Sequence, residues 1–95
     1  MSSKETEKRP VKNRKKNRRR EYSLILHNDE VHSFDYVIEA LMDVCSHSYE
    51  QAVQCTIITH HKGSCDVRKG TIHALKPLKN ALTEKELSAT INSKP

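Results

Sequence analysis

In this 95-residue chain the residues with the most chemistry to offer are Asn28, Asp29 and His60. Asn28-Asp29-Glu30 is a polar run that ends an apolar stretch, and such residues favour turns. An Asn side chain offers an amide oxygen, an Asp a carboxylate, and a neutral His one ring nitrogen as acceptor. Three acceptors around one point suit a primary ammonium, which has three N–H donors and no acceptor. An apolar pocket beside them would hold the side chain attached to that ammonium. The same residues also permit a plainer arrangement, in which Asn28-Asp29 only turns the chain and His60 lies in a solvated helix end.

Other chemistries are less well supplied. His60-His61 with Cys65, joined by His27 or His32, is the best metal set the chain contains. Adjacent helical residues point about 100° apart and rarely share one ion. The Cys-x2-Cys and His-x3-His spacings of zinc sites are absent. Cys45, Cys55 and Cys65 have no base or oxyanion motif directed at them, so no catalysis, metal or cofactor is expected. They read as small core residues in a reducing, cytoplasmic setting.

Charge is concentrated at one end. Residues 1–20 hold ten Lys or Arg against two Glu, whereas the remaining residues hold seven basic and ten acidic side chains. Met1 and Val11 are the only sizeable apolar residues in that segment, too few to offset the entropy of ordering it. Residues 1–20 are therefore expected to be a disordered basic extension, and 21–95 one core domain. A basic block can bind phosphate backbones in a salt-dependent way. It lacks the interleaved aromatics of single-strand binders, so nucleic acid is not the expected partner. A role on RNA or the ribosome through the arm is the alternative to weigh. No apolar run approaches the roughly 20 residues of a membrane span, and no secretory signal is expected.

The elements that must position the candidate trio are readable in outline. Tyr22, Leu24 and Leu26 alternate on one face of a strand. Ser33 is an N-cap, with Asp35 in the first turn, and Phe34, Val37, Ile38, Leu41 and Cys45 fall on one face of a helix over 34–45. Ser48-x-x-Gln51 is a capping box for a second helix from Tyr49 to about His61, closed by Gly63. Cys65–Lys69 is a strand candidate with Cys65 and Val67 inward. Gly70-Thr71 opens a third helical region, in which Pro77 predicts a kink or the true first turn. Leu87, Ala89 and Ile91 alternate as a last strand. The order β-α-α-β-α-β predicts an α+β domain, with helices on one face of a small antiparallel sheet.

These motifs resemble the ClpS family of N-degron adaptors. The resemblance rests on Tyr22-x-Leu24-Ile25-Leu26-x-Asn28-Asp29-Glu30, Phe34-Asp35-Tyr36-Val37-Ile38-x-x-Leu41, Glu50-x-Ala52 and His60-x-x-Gly63. It runs without gaps over about residues 21–70 and is loose beyond. It implies three helices packed on a three-stranded antiparallel sheet and a monomeric adaptor without enzymatic activity. Such an adaptor binds bulky hydrophobic N-terminal residues of substrate proteins and delivers them to a hexameric Clp AAA+ ATPase. It further implies that Asn28, Asp29 and His60 hold the α-amino group. The side-chain pocket differs from the family pattern. Phe34 stands where relatives have Met, Thr56 and Thr59 stand where they have apolar residues, and Val37 is kept. The resemblance thus implies that N-terminal binding survives with an altered preference among Phe, Tyr, Trp and Leu. A methylene-scale change in such a pocket is worth about 1–3 kcal/mol.

Overall fold

A computed structural model describes residues 20–93. The basic extension expected over residues 1–20 lies outside them, apart from Arg20. The elements are β1 (Tyr22–His27), α1 (Phe34–Cys45), α2 (Tyr49–Lys62), β2 (Ser64–Gly70), α3 (Ile72–Glu84) and β3 (Ser88–Ser93). The three strands form an antiparallel sheet in the order β2-β1-β3. The α+β architecture and element order agree with the sequence reading.

Each helix begins at a hydroxyl. Ser33, Ser48 and Thr71 are in extended conformation, and their side chains accept from the amides of Tyr36, Gln51 and Ala74. Each bond satisfies one donor that the first helical turn leaves free. α1 matches its predicted bounds. α3 differs: Gly70 belongs to β2, Thr71 is the cap, and Pro77 lies inside the helix. Proline removes a helical N–H and is costly there, by about 3 kcal/mol. Leu75 and Leu82, on either side of it, are fully buried, and that anchorage carries the helix through.

The core sits between the helices and the sheet face that carries Leu24 and Leu26 of β1, with Val67 and Ala89 from the flanking strands. Fully burying such a Leu is worth about 1.5–3 kcal/mol. Pairing of β1 with β2 is interrupted once. Leu24 faces Arg68 and Ile25 faces Asp66, so Val67 is the extra residue of a bulge. Its carbonyl accepts from Nε2 of the buried His47 at 2.7 Å, which ties the α1–α2 loop to β2. The Arg68 guanidinium donates to the Cys45 carbonyl at the end of α1, where a cation complements the helix dipole.

Candidate functional site

The site forms where β1 ends. His27 is the last residue paired with β2, opposite Ser64. One step further, the Asn28 amide donates to the Gly63 carbonyl at 2.9 Å. Gly63 has φ 93°, the left-handed region that ends α2, and its own amide donates to Thr59. A side chain at Gly63 would meet no neighbour, so backbone conformation is what requires glycine here. These two bonds bring the Asn28-Asp29 turn beside the last turn of α2. That is how His60 reaches residues far from it in sequence.

Asp29 holds the turn together. One carboxylate oxygen, Oδ1, accepts from the amides of Val31 and His32 at 2.8 and 2.9 Å. The other, Oδ2, meets Nδ1 of His32 at 3.1 Å. Burial is the largest single influence on this carboxyl and opposes ionisation. The bonds from the His32 amide and ring and from the Val31 amide together outweigh it, holding the carboxyl below its ordinary 3.8. Three donors leave part of the carboxylate's acceptor capacity free, since its two oxygens offer about four lone-pair sites. Asp29 therefore builds the turn and keeps charge to offer.

His32 was considered only as a metal ligand in the sequence, and its observed role is different. Its ring bonds Asp29 and stacks on Tyr36, with centroids 4.7 Å apart and planes 16° from parallel. The Tyr36 hydroxyl in turn donates to the Lys85 carbonyl at 2.8 Å, so the chain of contacts reaches the loop before β3. The Asp29-x-x-His32 spacing was the available signal for the first of these contacts.

Beside this turn the cavity is walled by α1 and α2. Phe34 and Val37 come from the first turn of α1, and Thr56 and Thr59 from the buried face of α2. The Phe34 ring lies edge-on to His60, with centroids 5.2 Å apart at 70°. Both threonine hydroxyls donate back to their own helix, Thr56 to Ala52 at 2.8 Å and Thr59 to Cys55 at 2.7 Å. Leu26 and Leu87 complete the floor. Leu87 follows α3 and has no local signal tying it to the site. All seven candidate residues line this one cavity of about 180 Å³. Sites for drug-sized ligands run to about 300–1,000 Å³, so this one is on the scale of a single side chain.

With this geometry, comparison with known proteins is decisive. The family described as ATP-dependent Clp protease adaptor protein ClpS matches residues 17–90. The chain belongs to the ClpS family. Individual ClpS relatives are similar over shorter stretches. The ClpS adaptor of Campylobacter jejuni strain 81-176 is 44% identical over 43 residues, 45% of each chain. That of Oleidesulfovibrio alaskensis is 39% identical over 44 residues, 46% of this chain and 42% of that one. The matched segment thus spans less than half the length of these curated relatives. Among solved structures, Agrobacterium tumefaciens ClpS2 bound to L-phenylalaninamide superposes with a TM-score of 0.75 at 23% identity. It covers 81% of this chain and 100% of that one, which establishes the ClpS fold.

The three cysteines are not among the residues that line the cavity. Among the described residues no group of three or more His, Cys, Asp or Glu side chains is placed to hold a metal ion. No described helix is long and apolar enough to cross a membrane. Cys45 and Cys55 are buried, and Cys65 is half-buried. Burial pushes the Cys45 thiol up to about 11. Burial, then the neighbouring Cys55 thiol, pushes Cys65 up to about 12. Protonated thiols are poor nucleophiles, so their place is in the packing.

Proposed function

We propose that this chain binds the free N-terminus of other polypeptides and presents them to a Clp-family AAA+ ATPase. Asn28, the free capacity of Asp29 and a neutral His60 accept the three N–H bonds of the α-ammonium. Phe34, Val37, Thr56 and Thr59 enclose the first side chain, which is bulky and hydrophobic. The domain works as a monomer in the cytoplasm, with residues 1–20 as a separate basic extension.

The observation that carries this reading is the convergence of acceptors at the rim of a cavity sized for one side chain. Rim and floor are complementary to the two ends of an N-terminal residue, charged at one end and apolar at the other. L-Phenylalaninamide, the ligand of Agrobacterium tumefaciens ClpS2, has this form: a free α-amino group and a benzyl side chain.

Fluorescence anisotropy with labelled peptides tests the proposal directly. A peptide beginning with a bulky hydrophobic residue should bind, and N-acetylation should weaken it by about thirtyfold or more. Acetylation removes the charge and leaves the acceptors unpaired, a loss of at least about 2 kcal/mol. Equal affinity for the free and acetylated peptides would sink the reading.

A further inference from the structure

The floor of the cavity has a polarity that its apolar lining conceals. Thr56 and Thr59 are only 3% and 4% exposed, yet both line the cavity. They lie three residues apart on α2, so they share a face one helical turn deep. A threonine hydroxyl has one hydrogen to give and two lone pairs to receive with. Both hydrogens are already committed, to the Ala52 and Cys55 carbonyls. What remains on each of the two oxygens is acceptor capacity. Their floor neighbours Leu26, Leu87 and Val37 bring no side-chain donor.

We infer that this floor selects an N-terminal residue carrying a hydrogen-bond donor at the far end of its ring. Tyr, with its O–H, is the best fit, and Trp, with its indole N–H, comes next. The inference rests on the N-terminal reading above and specifies its substrate class. When a Phe or Leu side chain enters, it strips water from two oxygens and returns nothing. The Tyr hydroxyl replaces the lost water with a direct bond. The acidic and imidazole groups stand at the rim and face the other end of the ligand, so they do not contribute to this choice. An apolar pocket discriminates weakly against an added hydroxyl. A floor whose hydroxyls keep only acceptor capacity discriminates in its favour.

The experiment uses the full chain and four peptides that differ only in the first residue: Tyr, Phe, para-fluoro-Phe and N-acetyl-Tyr. Tyr should bind about tenfold tighter than Phe, the value of one net hydrogen bond. Para-fluoro-Phe, which matches Tyr in length but has no donor, should group with Phe. In Thr56→Val and Thr59→Val, measured singly and together, the ratio of Tyr to Phe affinity should shrink to about twofold or less. The wild-type ranking decides even if a variant does not fold. Phe or para-fluoro-Phe binding as tightly as Tyr, with N-acetyl-Tyr still failing, would overturn the inference and leave N-terminal binding standing. N-acetyl-Tyr binding as well as Tyr would remove the N-terminal reading and this inference with it.

Discussion

Helices α1 and α2 are similar in length and pack together, yet they bury different kinds of side chain. α1 turns Ile38, Ala40, Leu41 and Cys45 into the core. α2 buries Ala52, Cys55, Thr56 and Thr59, while its Ile57 and Ile58 remain 38% and 36% exposed. The large apolar groups that would drive α2 inward are on its outer side. α1 is therefore held by hydrophobic burial. α2 is held by its caps, by close approach of small residues and by the Gly63 link to β1. Small and hydroxylated residues on its inner face leave the space that becomes the cavity. α1 brings the larger apolar groups to the core, and α2 leaves the space beside it.

Substitutions can break this contrast, and the largest effect belongs to α1. Leu41→Ala removes a fully buried side chain and should cost about 2–5 kcal/mol in urea unfolding, near the whole stability of so small a domain. At the rim, Asp29→Ala should weaken N-terminal peptide binding by about thirtyfold or more in anisotropy. Both a charge and the turn that presents it are lost, an effect of at least about 2 kcal/mol. Phe34→Ala, which opens the wall beside His60, should weaken binding by about tenfold while leaving urea stability nearly unchanged, because Phe34 is 45% exposed. Thr56→Val on α2 should shift stability by no more than about 1 kcal/mol. It deletes a hydroxyl bonded only to its own helix and replaces it with a methyl group of similar size. A loss as large as that of Leu41→Ala would remove the distinction between the two helices.

The smallest effect is on alkaline stability. Cys45 and Cys65 have folded values of about 11 and about 12, above their ordinary 9.0. The unfolded chain therefore releases these protons first. Their contribution is intact below pH 9 and is lost as pH rises through about 11 to 12. Urea midpoints should fall across that window, and Cys65→Ala should make the fall shallower.

Much of this molecule was legible because its signals are local. α1 was bounded correctly at both ends, since a Ser33 cap and an apolar stripe sit within one helix. Asn28, Asp29 and His60 were singled out from residue chemistry and a family resemblance, and all three line one cavity. What escaped the sequence was non-local. Pro77 lies inside α3 and not in its first turn, between the buried Leu75 and Leu82. The bulge at Val67 depends on pairing with β1 and on a carbonyl taken by His47. Leu87 reaches the floor only because the loop after α3 returns beneath α1.

The sequence by itself determined the parts of each element: caps, periodicities, the left-handed glycine and the polar turn. These follow from interactions within a few residues, where backbone geometry leaves little choice. Tertiary structure decided what those parts do together. One bond from Asn28 to Gly63 sets the rim beside His60. Packing of α2 by its small face turns two threonines, unremarkable in sequence, into the polar floor of the cavity. The energy of such contacts depends on neighbours that arrive from distant chain positions, and no local pattern encodes them.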